Sequence, residues 1–141
     1  MLKSAYYFFR IIFSLLFLAS AVGKLLDNRG FADVLVTYQL MPQSITLAFG
    51  LFVSLFELAL GLALAFERKV YICAQLTIAV HVGYLSLAAL TMARGINLSN
   101  CGCFGVFLAR PLGIQTLVED AILLLLSILF FMTVRQNKEL V

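Results

Sequence analysis

The sequence contains no tryptophan, only two prolines and few charged residues, which make up 12% of its 141 positions. Ordinary soluble domains carry about 25% charged residues, so this composition excludes a typical soluble fold. The ten basic residues form no cluster and stand against seven acidic ones, which excludes a nucleic-acid-binding surface. Apolar residues are abundant instead, at 63% of the chain with a mean hydropathy of +1.06. The composition therefore predicts an integral membrane protein.

Four apolar segments are long enough to cross a bilayer, because a spanning helix needs about 20 residues for about 30 Å of hydrocarbon. These segments are residues 5–26, 44–66, 70–93 and 112–134. They fill most of the chain, so we predict a single domain over residues 1–141, built as an all-α four-helix membrane bundle. A cleavable signal peptide is the alternative for the first segment, which runs into the small residues Ala19, Ser20 and Ala21.

The basic residues divide unevenly between the two ends of these segments. One end has Lys3, Arg10, Arg68, Lys69, Arg135 and Lys138, and the other has Lys24, Arg29, Arg94 and Arg110. Because cytoplasmic loops carry the excess of lysine and arginine, we expect both termini to be cytoplasmic. The two longer loops then lie on the outer side of the membrane, and one of them contains Cys101 and Cys103.

The first outer loop contains a short amphipathic pattern. Its apolar residues recur at the helical spacing i, i+3, i+4 and i+7, and they are Phe31, Val34, Leu35 and Tyr38. This spacing predicts a short helix that lies on the membrane surface. Pro42 follows the pattern and suits the entry to the second crossing.

Polar and small residues line one face of each predicted crossing, at steps of three or four residues. The faces consist of Arg10, Ser14, Phe17, Ala21 and Lys24; of Gly50, Ser54, Glu57 and Gly61; of Ala74, Thr77, His81, Tyr84 and Ala88; and of Thr116, Asp120, Leu123 and Ser127. Ionisable groups cost about 2.5–3.5 kcal/mol each at the centre of a membrane by insertion scales. We therefore expect these faces to turn inward, where the small residues allow close packing.

Four ionisable residues within these faces are candidate supporting residues of a site. At about 1.5 Å per residue, Glu57 and His81 come near mid-membrane, where we expect them to pair. Lys24 and Asp120 both lie near the outer ends of their helices and form a second expected pair. Two interpretations stay open: the pairs stabilise the bundle, or they form a proton relay or the wall of a quinone site.

The second outer loop is the most informative stretch, because two cysteines flank a single glycine there. A disulfide between Cys101 and Cys103 closes a very small ring, and Gly102 supplies the backbone freedom that such a ring needs. Strain in this ring should raise its reduction potential. Strained, exposed disulfides are the labile and catalytic ones, which exchange by thiolate attack. The outer compartment permits this chemistry, so the motif predicts thiol–disulfide exchange.

Other interpretations of the cysteines compete with exchange. Soft thiolates bind copper or zinc, although two ligands fall short of a closed site, so no metal site is predicted. An inert disulfide or a pair of free thiols is a further alternative. The third cysteine, Cys73, lies at the opposite end of the third crossing and is expected to be a small core residue.

These residues together resemble the MauE family of small membrane proteins, within the wider DoxX-like group, over nearly the whole chain. The matching pieces are Arg10, Phe17 and residues 23–25 in the first crossing, residues 31–38 and Pro42 in the loop, residues 57–61, and most specifically residues 101–105. The resemblance implies a bacterial inner-membrane protein that acts with an extracytoplasmic thioredoxin-like partner to mature a cysteine-rich methylamine dehydrogenase subunit. DoxX-like relatives include subunits associated with thiosulfate and quinone oxidation.

The combined prediction is an integral-membrane thiol–disulfide redox protein. Cys101 and Cys103, onto which the family's cysteine pair maps, would cycle with a soluble thioredoxin-fold partner to support disulfide formation or maturation of a client. Electrons would pass to or from a membrane carrier such as quinone, with Glu57, His81 and Lys24 handling protons. The alternatives are a metal-handling membrane protein, or a noncatalytic anchor or assembly subunit of a respiratory or sulfur-oxidising complex. The small-residue face of the second crossing also suits a homodimer.

Overall fold

A computed structural model of the chain describes residues 2–139, with side-chain surroundings for residues 3–137. Within that range the chain forms five helices and no strands: α1 (Leu2–Leu26), α2 (Asn28–Thr37), α3 (Gln43–Ala65), α4 (Val70–Ala93) and α5 (Ile114–Glu139). The four longer helices are long and apolar enough to cross a membrane. The predicted all-α four-helix membrane bundle with a short extra helix is confirmed. Met1, Leu140, Val141 and the side chain of Lys138 lie outside the described residues.

The four long helices surround a common interior in the order α1, α3, α4, α5. Helix α1 packs extensively on α3, and α4 packs extensively on α5. Helices α3 and α4 share few contacts, although only residues 66–69 join them. In this turn Glu67 and Lys69 have φ angles of 57° and 46°, and the chain reverses there. The halves of α3 and α4 beyond the turn leave a groove between them.

Small residues bring α1 and α3 close together. A Cβ on Gly61 would lie 2.9 Å from Cγ of Leu18, so the two helices meet where α3 has no side chain. The hydroxyl of Ser14 also donates a hydrogen bond to the carbonyl oxygen of Gly61 at 2.9 Å. Small residues permit such close approach in membranes. This face of α3 is therefore used inside the bundle and is not available to a second copy of the chain.

The polar faces turn inward as predicted. Their buried members are Ser14, Phe17, Ala21, Lys24, Gly50, Ser54, Glu57, Gly61, Ala74, Thr77, His81, Ala88, Thr116, Asp120 and Ser127. Arg10, Tyr84 and Leu123 are half-buried. An apolar cluster that includes Phe13, Leu64 and Phe130 fills the interior, and Cys73 belongs to it. Cys73 is thus a core residue, as expected.

Candidate functional site

A loop that carries the two cysteines of the motif joins α4 to α5; we call it the cysteine loop (residues 94–113). The amide of Cys101 donates a hydrogen bond to the carbonyl oxygen of Arg110 at 2.8 Å, which draws the two arms of the loop together. The Sγ atoms of Cys101 and Cys103 lie 2.9 Å apart, and both side chains are free thiols. The loop therefore holds the two predicted catalytic residues side by side.

The cysteine loop rests directly on the backbone of α1. A Cβ on Gly105 would collide with the carbonyl oxygen of Gly23, and a Cβ on Gly23 would collide with that of Phe104. Gly105 also has a φ of +72°, which glycine adopts without steric cost. The hydroxyl of Ser20, one turn before Gly23, lies 2.8 Å from the carbonyl oxygen of Cys103. Close contact between the two backbones thus fixes the height of the cysteines above α1.

Helix α2 covers the other side of the cysteine loop. A Cβ on Gly102 would lie 3.0 Å from Val34 and 3.3 Å from Phe31, so the apolar face of α2 packs against the turn between the cysteines. The hydroxyl of Tyr38 donates a hydrogen bond to the carbonyl oxygen of Cys101 at 2.6 Å. Burial, with the nearby cysteines, raises the pKa of Tyr38 above its usual value, so its hydroxyl keeps the proton that it donates.

Replacing Gly105 with alanine is expected to release the cysteine loop from α1. The new methyl group collides with the backbone of Gly23. The left-handed backbone conformation at this position costs alanine about 1–2 kcal/mol more. Gly95→Ala is the matched control, because Gly95 has a φ of +71° but open space around a Cβ. We expect Cys101 and Cys103 to react faster with a maleimide in G105A and at the wild-type rate in G95A. Equal rates in the two variants would contradict the seating of the loop on α1.

A buried ion pair between Lys24 of α1 and Glu57 of α3 lies beneath the cysteine loop. Lys24 Nζ is 2.9 Å from Oε1 and 2.7 Å from Oε2 of Glu57, and each side chain is only 1% exposed. Nζ also lies 3.0 Å from Ser20 Oγ and 2.9 Å from the Tyr84 hydroxyl. The Tyr84 hydroxyl donates a further hydrogen bond to Glu57. The three protons of the ammonium group therefore all have acceptors.

Ser20 connects this ion pair to the cysteine loop. Its Oγ lies 2.7 Å from Oε2 of Glu57 and 2.8 Å from the carbonyl oxygen of Cys103. A hydroxyl has one proton, so Ser20 can donate to only one of these acceptors at a time. The charge on Glu57 and the position of the Cys103 backbone are therefore linked through a single hydroxyl group.

The predicted pairs Glu57–His81 and Lys24–Asp120 are wrong, because Lys24 and Glu57 bind each other. The error lies in the depth predicted for Glu57, which was counted in residues from the start of α3. The first turns of this helix extend beyond the end of α1 and pack on α2, since a Cβ on Gly50 would touch α2 side chains. This offset places Glu57 level with Lys24 rather than with His81.

His81 lies deeper in the bundle, between aromatic rings. Its ring centroid is 5.6 Å from that of Phe13 and 5.8 Å from that of Phe17. Nδ1 of His81 lies 2.8 Å from the carbonyl oxygen of Thr77. A carbonyl oxygen can only accept a hydrogen bond, so the proton of the neutral ring is assigned to Nδ1. Nε2 is then the acceptor of the neutral ring.

Two small cavities border the cysteines. The first, of about 40 Å³, is lined in part by Lys24, Cys101, Cys103 and Asp120. The second, of about 50 Å³, is lined in part by Glu57, His81, Cys103 and Asp120. A cavity needs about 10–15 Å³ to hold a water molecule, so each has room for water. The six residues singled out in the sequence thus all border one or both of these cavities.

The two thiols of the pair are not equivalent. A hydrogen bond joins the two sulfur atoms, and this contact lowers the pKa of Cys101 to about 6. The amide of Cys103 and the positive charge of Arg110 act in the same direction, whereas burial opposes them. The pKa of Cys103 is raised by the same hydrogen bond and by burial. The lowered pKa of Cys101 and the raised pKa of Cys103 therefore favour a thiolate at Cys101 and a thiol at Cys103 in the reduced pair.

Alkylation of the reduced pair with iodoacetamide is expected to follow the pKa of Cys101, which is about 6. The rate should rise with pH through this value and level off above about pH 7, because only the thiolate reacts. An unperturbed cysteine, with a pKa of about 8.5, would continue to gain rate up to about pH 9. Mass spectrometry of Cys101 in a Cys73→Ser background gives the profile, and a rate that still rises beyond about pH 8 would contradict the assignment.

Sequence reasoning missed the hydroxyl groups that bind the cysteine loop. Ser20 lies one turn before Lys24 on α1, so helical spacing could have placed it in the polar network. Helical spacing assigns Tyr38 to the apolar face of the short helix, but Tyr38 is the C-cap of α2 and its hydroxyl binds a carbonyl 63 residues away. Nothing local in the sequence indicates that contact.

Within residues 3–137, no group of three or more histidine, cysteine, aspartate or glutamate side chains is arranged to hold a metal ion. The carboxylate nearest the buried lysine, Glu57, already binds Lys24 with both oxygens. Cys101 and Cys103 thus offer two sulfur ligands at this place, which is fewer than a closed zinc site uses.

Comparison with known proteins identifies relatives of the chain. The family described as methylamine utilisation protein MauE matches residues 2–133. Protein TlpB of Flavobacterium psychrophilum is 36% identical over 147 aligned residues, which cover 96% of this chain and 39% of TlpB. The chain therefore spans well under half of the length of this relative. No solved structure matches the chain. Since the family match extends from α1 into α5, the chain belongs to the MauE family and is a multi-pass membrane protein.

Proposed function

We propose that the chain exchanges thiols and disulfides through Cys101 and Cys103 with a thioredoxin-fold partner. The observation that carries this proposal is the 2.9 Å separation of the two Sγ atoms. Joining the two sulfurs as a disulfide removes two electrons from the pair and, from its thiolate–thiol form, one proton. Gly102, with a φ of +73°, supplies the turn that keeps them adjacent. The cycle supports disulfide formation or maturation of a client outside the cytoplasm.

Cys101 is the attacking residue of the reduced pair in this proposal. Its pKa of about 6 makes it a thiolate at neutral pH, and the thiolate is the nucleophile of exchange. Cys101 attacks a disulfide of the partner and expels one partner thiolate. Cys103 then attacks Sγ of Cys101 and expels the second partner thiolate, leaving an oxidised pair and a reduced partner. The reverse sequence oxidises the partner.

The buried polar residues handle the protons of this cycle. Cys103, which carries the proton of the reduced pair, lines a cavity together with Glu57, His81 and Asp120. Lys24 lines the neighbouring cavity and holds Glu57 in place. Water in these cavities gives a proton from Cys103 a route to carboxylate and imidazole groups.

The proposed topology places the cysteine loop on the outer side of a bacterial inner membrane and both termini in the cytoplasm. It is based on the excess of basic residues at the opposite end of the bundle. Cys101 and Cys103 then face an oxidising compartment. Such a compartment favours thiol–disulfide exchange over permanently reduced thiols.

A redox titration of the purified protein in glutathione buffers tests the proposed exchange. A Cys73→Ser background removes the core cysteine, and maleimide labelling followed by mass spectrometry counts free thiols. We expect Cys101 and Cys103 to lose their labels together in one two-electron transition. Labels that are never lost, or that are lost one at a time as separate glutathione adducts, would contradict the proposal.

The same preparation separates the two rival functions. Stoichiometric copper or zinc that disappears in the Cys101→Ser plus Cys103→Ser variant would favour a metal-handling protein. A noncatalytic anchor or assembly subunit would copurify with a partner whose redox state is the same in wild type and in this variant.

A further inference from the structure

A groove of about 290 Å³ lies between α3 and α4, and it opens on the side of the bundle that would face lipid. Its walls are apolar and include Phe49, Phe52, Phe56 and Val80. Its floor is different, because Glu57 and Tyr84 also line it. Polar groups are costly in contact with hydrocarbon, so a groove that only holds acyl chains has no need of such a floor.

Four side chains separate this groove from the cavity that contains the cysteines. Phe31, Leu35, Tyr84 and Leu87 line both the groove and the 40 Å³ cavity bordered by Cys101 and Cys103. A single layer of side chains thus separates the lipid-facing groove from the cavity that contains the two sulfur atoms. Any molecule in the groove is separated from the redox pair by residues that could move by side-chain rotation alone.

We propose that the groove binds a quinone, with its ring at Glu57 and Tyr84 and its isoprenoid tail in the bilayer. This inference rests on the proposed exchange at the cysteine pair, in the direction that oxidises the partner and leaves the pair reduced, because a quinone can then accept the electrons of the pair. The Tyr84 hydroxyl at the floor can donate its proton to a quinone carbonyl oxygen in place of Glu57, and the freed Glu57 carboxylate can accept from a hydroquinone hydroxyl. An acyl chain has no acceptor to place there.

The size and lining of the groove agree with a ring of this kind. Sites for small ligands measure about 300–1,000 Å³, and the groove, at about 290 Å³, lies just below the lower limit of that range. A head group alone fits such a volume, while its tail extends into lipid. Aromatic side chains such as Phe52 and Phe56 favour stacked or edge contacts with a flat ring.

The reaction at this site balances with one proton taken from water. Leu87 turns aside, and the Cys101 thiolate adds to a ring carbon of the quinone. Cys103 then loses its proton and attacks Sγ of Cys101, which forms the disulfide and breaks the bond to the ring. Both electrons leave with the ring, and the Cys103 proton and one proton from water complete its two hydroxyl groups. One thiolate, one thiol, one proton and one quinone thus give one disulfide and one hydroquinone.

Gly83 provides the test, because it lines the groove and a Cβ there would meet nothing within 4 Å. Gly83→Phe places a ring in the groove, and the Cβ that carries the ring meets no neighbour. Gly83→Ala controls for the loss of a helical glycine, and Leu125→Phe adds the same ring at an exposed position of α5. Each protein is reduced, placed in nanodiscs of quinone-free lipid and mixed anaerobically with decylubiquinone, and hydroquinone and disulfide are both measured.

Wild type, G83A and L125F are expected to form hydroquinone and disulfide in equal amounts and at similar rates. In G83F the rate should fall by about tenfold or more, the change that about 1.4 kcal/mol of binding energy produces. The glutathione titration of the cysteine pair should stay the same in all four proteins. A wild-type rate in G83F would mean that the groove holds lipid only, which overturns the quinone site. Wild type that is oxidised by glutathione disulfide and not by decylubiquinone would also overturn it, whereas failure with both oxidants would overturn the exchange itself.

Discussion

Replacing Lys24 with methionine is expected to lower the free energy of unfolding by about 3–5 kcal/mol, the usual cost of breaking a buried ion pair. Methionine keeps most of the apolar stem of the lysine but removes the ammonium group. Glu57, only 1% exposed, is then left without its countercharge. The carboxylate must remain charged in the bundle interior or take up a proton, and either outcome costs stability. Titration with SDS, followed by far-ultraviolet circular dichroism, measures the loss without relying on tryptophan fluorescence.

Two further variants show that the loss comes from burial of the charge. Arg110→Met removes an ion pair of similar length, 2.8 Å to Glu119, but the side chains of that pair are 45% and 34% exposed. Exposed pairs contribute about 0–1 kcal/mol, so this variant should be close to wild type. Lys24→Met combined with Glu57→Leu should recover most of the loss, because no unpaired charge stays inside. A double variant as unstable as Lys24→Met alone would contradict the account.

Replacing either cysteine of the pair with serine is expected to abolish electron exchange with a thioredoxin-fold partner. Serine is close to cysteine in size, and the loop retains its contacts with α1 and α2, so the change removes the chemistry and leaves the fold. The two variants should differ in what they accumulate. In Cys103→Ser the Cys101 thiolate can still attack, but nothing resolves the product, so a mixed disulfide with the partner builds up.

Nonreducing gels of cell membranes, with mass spectrometry of the adduct, measure this difference between the variants. Cys73→Ser is the matched control, because Cys73 lies in the apolar core and should not affect exchange. A mixed disulfide that accumulates in Cys101→Ser instead would assign the attack to Cys103. Continued exchange in both variants would contradict a role for the pair.

Much of the fold could be predicted from the sequence, because the membrane imposes simple requirements. Four apolar segments of spanning length were enough to place the long helices. The helical repeat of about 3.6 residues per turn was enough to identify their inward faces. The pair Cys101 and Cys103 could also be singled out, since residues two apart in a loop cannot be separated by the fold. These features depend on local sequence alone.

The ion pairing could not be predicted, because it depends on how far each helix extends past its neighbours. Counting 1.5 Å per residue from the start of α3 assumes that all helices begin at the same level. Helix α2 packs beside the first turns of α3, so this assumption fails and Glu57 meets Lys24. The contact between Gly23 and Gly105 could not be predicted from the sequence either. It depends on where the fold places a loop that follows Gly23 by about 82 residues.

The most direct test of the central claim is labelling of intact cells with a membrane-impermeant maleimide, before and after a mild reductant. The claim is that Cys101 and Cys103 form a redox-active pair facing the outside of the cell. We expect two thiols to become reactive only after reduction, and both to disappear in the Cys101→Ser plus Cys103→Ser variant. Thiols that react without reductant would contradict an exchangeable disulfide in the cell. Thiols that react only after the membrane is opened would place the cysteine loop on the cytoplasmic side.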